Sequence, residues 1–325
     1  MHIVILDDYQ DAVRSLQCFT KLKNHQVTIY QDTTQDLHIL VERLKDAEAV
    51  VLIRERTQIT QSLLQQLPNL KLISQTGKIS NHLDLQACTA HGIAVAEGMG
   101  SPVAPAELCW ALIMASSRRL PDYCNALHHG RWQQTETPGL GRVLKSLTLG
   151  IWSYGKVGRV VATYGRAFGM EVMIWGRESS LAAAQSDGFR VAGSQNELFS
   201  KSDVLSIHLR LNAATRGCIK YTDLARMKPD ALFVNTSRAE LIEPGALERA
   251  LNEGRPGSAA LDVYESEPIL DANHPLLKMK NVLCSPHLGY VEKSSYELYF
   301  KAAFENILAF AAGKPQNIAN AQVFK

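Results

Sequence analysis

The stretch Leu147-Thr-Leu-Gly150-Ile-Trp-Ser153-Tyr-Gly155-Lys-Val-Gly158 decides the fold. An apolar run, predicted as a strand over 148–152, gives way to a turn of small residues, and a helix is predicted over 156–168. Glycine at such a turn lets backbone N–H groups approach a pyrophosphate, and the helix N-terminus favours the anionic charge. The pattern is S-x-G-x-x-G, with Ser153 where the full fingerprint has its first glycine, so a slightly wider loop is expected. Ser153, Tyr154, Gly155, Lys156, Val157 and Gly158 are the candidate pyrophosphate-binding residues. The next predicted strand, 171–175, ends in Gly176-Arg177-Glu178. An acidic residue there would hold the adenosine ribose and repel a 2′-phosphate. This chain has Gly176 at that position and a cation after it, so Arg177 could pair with a 2′-phosphate. In the alternative, Arg177 is solvated and Glu178 holds the ribose. NAD(P) is the expected cofactor, with NADP favoured.

Outward from this loop, short apolar runs alternate with amphipathic ones, the pattern of βαβ units and a parallel sheet. Strands are predicted over 2–6, 50–53, 70–74 and 93–96 before the loop. After it they are predicted over 204–208, 231–235, 258–262 and 282–285. Helices are predicted over 36–45 and 60–67, with Asp36 and Thr60 as N-caps. A helix over 103–120 is apolar on nearly all sides, so it is expected to be buried, in part against a second copy of the chain. The polar segment 131–142, anchored by Trp132, is expected to wrap something. A long helix over 294–312 is expected to return to the first domain.

Composition is consistent with this reading. The chain has 325 residues, 46% of them hydrophobic and 20% charged, with a net charge of +2. That length suits two domains. The near-neutral balance gives no reason to propose nucleic acid or an anionic membrane as partner. No apolar run reaches bilayer length and the amino terminus does not read as a signal peptide, so a cytoplasmic protein is expected. Six scattered cysteines, without a Cys-x-x-Cys pair, predict neither a disulfide framework nor a metal site.

Three segments narrow the chemistry: Leu232-Phe-Val-Asn235-Thr-Ser-Arg238, Ala260-Leu-Asp262-Val-Tyr-Glu265-Ser-Glu267-Pro268, and Val282-Leu-Cys-Ser-Pro286-His287-Leu-Gly289-Tyr290. Each places its informative residue just beyond a strand, where open α/β sheets bind ligands. Further matching stretches are Ile73-Ser-Gln-Thr76-Gly77-Lys78, Gly92-Ile-Ala-Val, Ala106-Glu107-Leu, and Ser206-Ile-His208-Leu with Thr215-Arg216-Gly217.

On these motifs the chain resembles, over essentially its whole length, the D-isomer-specific 2-hydroxyacid dehydrogenases, which include phosphoglycerate, glyoxylate/hydroxypyruvate and formate dehydrogenases. The resemblance implies an α/β protein of two Rossmann-like domains. One is a flavodoxin-like substrate domain (1–99 and 290–325). The other is a doubly wound parallel-sheet NAD(P)-binding domain (100–289). It implies hydride transfer between NAD(P)H and a small 2-keto acid or D-2-hydroxy acid. It assigns catalysis to Arg238, Glu267 and His287, adds His208, Thr236, Ser237 and Asp262 to the cofactor site, and gives Thr76, Gly77 and Lys78, with Arg238 and His287, to the substrate. Arg238 would grip the carboxylate in a forked geometry, His287 would exchange a proton with the carbonyl oxygen, and Glu267 would orient the imidazole. A homodimer built around the helix over 103–120 and the loop containing Trp132 is expected, with no metal.

Departures bear on the substrate. Ala239 replaces a usual glycine, Arg210 replaces the proline of a His-Leu-Pro sequence, and Gly77-Lys78-Ile79 replaces a Gly-Val-Gly-type loop. Lys78 is therefore either a second cation in the pocket, favouring an extra anionic group on the substrate, or a solvent-facing lysine. Glu265 is a competing carboxylate beside Glu267. Two other readings remain. Dinucleotide-sensing transcriptional corepressors share the architecture, and formate- or phosphite-type dehydrogenases use Arg and His without a carbonyl to protonate.

Overall fold

The computed structural model describes residues 1–136 and 139–325. Residues 137 and 138 of the predicted polar segment lie outside the described residues. The chain forms two compact units, residues 1–101 with 291–325 and residues 102–290.

The first unit is a five-stranded sheet in the order β2-β1-β3-β4-β5. Its strands are β1 (His2–Ile5), β2 (Gln26–Ile29), β3 (Ala49–Leu52), β4 (Leu72–Gln75) and β5 (Ala94–Ala96). Every pairing is parallel. This is the flavodoxin-like order. Runs such as Ala-Val-Val-Leu in β3 are buried at every position, as strands covered on both faces must be. Helices α1 (Leu37–Leu44), α2 (Gln61–Leu64) and α3 (Leu85–Ala90) start where Asp36, Thr60 and Asp84 accept backbone N–H groups of their own first turns. The carboxyl-terminal helix Lys293–Ala311 belongs to this unit, and the Ser74 hydroxyl donates to Ala303 O at 2.9 Å.

The second unit is a seven-stranded parallel sheet in the order β12-β11-β10-β9-β6-β7-β8. The strands are β6 (Thr148–Trp152), β7 (Glu171–Trp175), β8 (Arg190–Val191), β9 (Val204–Ile207), β10 (Leu232–Asn235), β11 (Ser258–Leu261) and β12 (Val282–Cys284). The order reverses between β6 and β9, the switch point of a doubly wound sheet. Its helices are α4 (Val103–Ser117), α5 (Leu120–His128), α6 (Lys156–Ala167), α7 (Glu178–Ser186), α8 (Gln195–Lys201), α9 (Tyr221–Leu224), α10 (Ala246–Asn252) and α11 (Pro275–Lys278).

The helix expected over 103–120 stops early. Arg119 takes φ +52°, a left-handed conformation that ends α4 at Ser117 and starts α5 at Leu120 in a new direction. Apolar composition could not reveal that break. α4 is buried through Ala104, Ala106, Cys109, Leu112 and Ile113, while Val103, Leu120, Leu127, Trp132, Leu140 and Val143 stay exposed. No helix among the described residues is long and apolar enough to cross a membrane.

Candidate active site

The predicted residues of the second unit leave the carboxyl ends of six strands that are neighbours in space. Along the sheet edge stand His287 after β12, Asp262 and Glu267 after β11, and Thr236, Ser237 and Arg238 after β10. They are followed by His208 after β9, Ser153 to Gly158 after β6, and Gly176 with Arg177 after β7. Five strand spacings of about 4.8 Å make this strip about 24 Å long. Residues remote in sequence share it because a parallel sheet points every strand the same way.

At its centre the glycine loop opens α6. Ser153 takes φ +84°, a conformation suited to glycine, and its N–H donates to Trp175 O at 2.7 Å. Gly158 is obligatory, since a Cβ there would lie 2.2 Å from Ser153 O. Gly155 caps the helix with no side-chain hydrogen bond, so the first-turn N–H groups of α6 are left to an anion. Gly155 and Lys156 are exposed and Val157 is half-buried. Tyr154 turns the other way. Its ring is buried against Phe189 and its hydroxyl donates to Asp187 Oδ2 at 2.7 Å, so only its backbone faces the loop. These features fit a dinucleotide. Arg177 is exposed at the N-cap of α7, Ser179 and Ser180 follow, and no ion pair of Arg177 is found among the described residues.

On the β10 loop, Asn235 fixes the turn: its Nδ2 donates to Arg238 O at 2.9 Å and its Oδ1 accepts the Ser237 N–H at 3.0 Å. The Ser237 hydroxyl donates to Ile207 O at 2.8 Å, tying this loop to β9. Arg238 Nη1 donates to Ser237 O at 2.6 Å.

Glu267 and His287 meet. Glu267 Oε2 lies 2.5 Å from His287 Nδ1, and Glu267 Oε1 accepts the Tyr264 N–H at 2.9 Å. With Nδ1 engaged, Nε2 is the nitrogen left for chemistry. Glu267, not Glu265, is therefore the partner carboxylate. His287 sits at φ +50°, unusual for a side chain of this size. Asp262 holds it there. It is buried, and its Oδ1 accepts the Leu288 N–H at 2.8 Å and the Ser285 hydroxyl at 2.6 Å, while its Oδ2 accepts the Gly289 N–H at 2.9 Å. Burial pushes the Asp262 carboxyl above its ordinary value, opposed by these donors. A carboxylate has about four acceptor sites, so Oδ2 keeps one for a ligand.

His208 lies at the switch point, and burial lowers its imidazole to about 4, leaving it neutral.

In the first unit, the loop after β4 carries Thr76, Gly77 and Lys78. The Thr76 side chain is turned inward, donating to Leu52 O at 2.9 Å and accepting the Arg54 N–H at 3.1 Å. Lys78 pairs with Glu97 at 2.5 Å, and the same carboxylate accepts the Ile79 N–H at 3.0 Å. The partner carboxylate belongs to the loop after β5, and the Lys78 side chain stays largely exposed.

Sequence reasoning missed Arg54, whose Nη1 lies where a Cβ on Gly77 would come within 2.0 Å. Its position just beyond β3 was the available signal. It also missed Glu97, which takes the Lys78 ammonium and the Ile79 N–H, and Ser285, whose hydroxyl donates to Asp262; these partners are remote in sequence and leave no spacing pattern. Among the described residues no cluster of metal-ligating side chains is found.

A doubly wound sheet with an uncapped glycine-loop helix at its switch point and an imidazole–carboxylate pair on the same edge defines a nicotinamide-dinucleotide-dependent oxidoreductase. Residues 110–289 match the NAD binding domain of the D-isomer specific 2-hydroxyacid dehydrogenases, and the chain belongs to that family. It is 37% identical over 294 residues to glyoxylate reductase of Aeropyrum pernix, covering 88% of this chain and 87% of that protein. A crystal structure of phosphoglycerate oxidoreductase from Vibrio cholerae superimposes with a TM-score of 0.94 at 58% identity, covering 96% of this chain and 99% of the other. D-lactate dehydrogenase from Aquifex aeolicus, solved with NAD and lactic acid, gives a TM-score of 0.77 at 29% identity and 96% coverage of both chains. The chain is a hydride-transferring 2-hydroxyacid oxidoreductase.

Proposed function

We propose that the chain reduces a small 2-keto acid such as glyoxylate or hydroxypyruvate to its D-2-hydroxy acid, with NADPH preferred to NADH. The observation that carries the reading is the Glu267–His287 pair, which leaves Nε2 as the proton donor. The bound nicotinamide supplies the hydride. Arg238 binds the substrate carboxylate through its guanidinium fork and polarises the adjacent carbonyl. His287 delivers a proton from Nε2 to the carbonyl oxygen, and Glu267, a positioning residue, stabilises the imidazolium and holds the ring. Asp262, Thr236, Ser237 and His208 border the nicotinamide half of the cofactor, and the loop 153–158 takes its pyrophosphate. Arg177 and the start of α7 take the 2′-phosphate. We also assign Thr76, Gly77 and Lys78, with Arg238 and His287, to the substrate.

The exposed apolar residues around α4, α5 and the segment after Arg131 support a homodimer through that face. We place the protein in the cytoplasm, with neither nucleic acid nor membrane as partner. Steady-state turnover of glyoxylate, hydroxypyruvate and 3-phosphohydroxypyruvate with NADPH and NADH in parallel tests the reading. Absence of turnover with all of them would overturn it, and light scattering on the eluting protein tests the dimer.

A further inference from the structure

Beneath the carboxyl edge of the second unit, three polar side chains form a continuous chain in an apolar setting. Cys109 on α4 and Ser206 on β9 are both 0% exposed, and Cys109 is packed with Ala106, Ile113, Val234 and Ala260. Cys109 Sγ lies 3.2 Å from Ser206 Oγ. Ser206 Oγ lies 3.0 Å from Nε2 of His208, two residues further along and on the same face of the sheet. Nδ1 of His208 bonds to no protein group among the described residues.

The chemistry of the three groups gives this chain a direction. A thiol is a donor and its sulfur a weak acceptor, whereas a hydroxyl donates and accepts equally well. Burial holds the Cys109 thiol up at about 11, so it keeps its proton. The satisfied arrangement runs from Cys109 S–H to Ser206 Oγ, and from Ser206 O–H to His208 Nε2. The reverse direction would turn the hydroxyl proton from an imidazole nitrogen to sulfur, a weak acceptor, and send the S–H to the neighbouring Thr236 hydroxyl, a poor exchange in a buried site. A neutral imidazole carries one N–H. With Nε2 accepting, that proton sits on Nδ1.

We propose that the Cys109–Ser206 pair fixes His208 as its Nδ1–H tautomer, making it a dedicated hydrogen-bond donor at the switch point for a neutral carbonyl acceptor, the carboxamide oxygen of the nicotinamide. Cys109 and Ser206 are then positioning residues, acting on the cofactor through His208. The ligand half rests on the dinucleotide site described above, while the tautomer half stands on the protein alone.

The test is side-chain 15N NMR of the full chain labelled at histidine, with the His208 signals assigned by H208Q. In the wild type, Nδ1 is expected to carry the proton and Nε2 to be bare. S206A is expected to move the proton wholly or partly to Nε2 and to raise KM for the dinucleotide about tenfold, with a much smaller change in kcat. S206T, which keeps the hydroxyl, is expected to retain the wild-type tautomer. C109V, which removes the thiol without altering β9, carries the same test should S206A fail to fold. A wild-type Nε2–H tautomer, or an unchanged tautomer in S206A and C109V, overturns the proposal. A tautomer change with unchanged dinucleotide KM overturns its ligand half.

Discussion

Asp262 and Gly289 are joined by a 2.9 Å hydrogen bond from the Gly289 N–H to Asp262 Oδ2, which fixes the chain two residues beyond His287. The same carboxylate takes the Leu288 N–H and the Ser285 hydroxyl, so the imidazole is held by a loop clamped on both sides. The position after β11 thus supports His287 through backbone groups rather than through the ring.

Replacing Asp262 with asparagine keeps the shape and exchanges one acceptor for an N–H2 donor that faces the donors already present. D262N is expected to cost about 1–3 kcal/mol of stability, the range for a buried polar group left unsatisfied. A kcat reduced at least tenfold should accompany it, because His287 loses its fixed place. Denaturant midpoints and steady-state rates measure both.

Ser153 occupies a backbone conformation that glycine adopts without strain. S153G should stabilise the protein by roughly 0.5–1 kcal/mol net of the entropy added to the unfolded chain, raising Tm by about 2 °C. Cofactor affinity should change little, since the loop geometry is already that of glycine. Differential scanning calorimetry and dinucleotide titration check this.

R177A should raise KM for NADPH about tenfold, the order expected for one charge-assisted contact, and leave KM for NADH nearly unchanged. Equal effects on both cofactors would return Arg177 to the role of a solvated surface residue.

His208 has a signature in acid. Its folded-state value of about 4 lies below the ordinary 6.5, so between those limits the unfolded chain binds more protons than the folded one. Its contribution to stability is therefore complete above about pH 6.5 and is lost as pH falls towards 4. The loss is up to about 3 kcal/mol on the scale of 1.36 kcal/mol per unit. H208Q should lose correspondingly less stability than the wild type between pH 7 and pH 4.5, measured by urea unfolding.

Legibility in the sequence followed physical locality. Strands buried on both faces, such as Ala49–Leu52 and Leu232–Asn235, announce themselves as short apolar runs. The short edge strand β8 carries no such run, and the half-exposed β2 no clear one. Asp36 and Thr60 were readable because capping is a contact within one turn. Ser153 and Gly158 were readable because the loop is contiguous. The break at Arg119 depends on backbone conformation, and the pairing of Lys78 with Glu97 joins loops nineteen residues apart. Neither leaves a mark in residue spacing. The same is true of the buried line from Cys109 to His208, which crosses from a helix to a strand.

The most direct test of the central claim is single-turnover hydride transfer in H287N. Asparagine tolerates a left-handed backbone, so the loop at φ +50° is preserved while the proton donor is removed. The expected result is dinucleotide affinity within about twofold of the wild type and a hydride-transfer rate lowered roughly 10²–10⁴-fold. A rate within tenfold of the wild type at unchanged cofactor affinity would contradict the account.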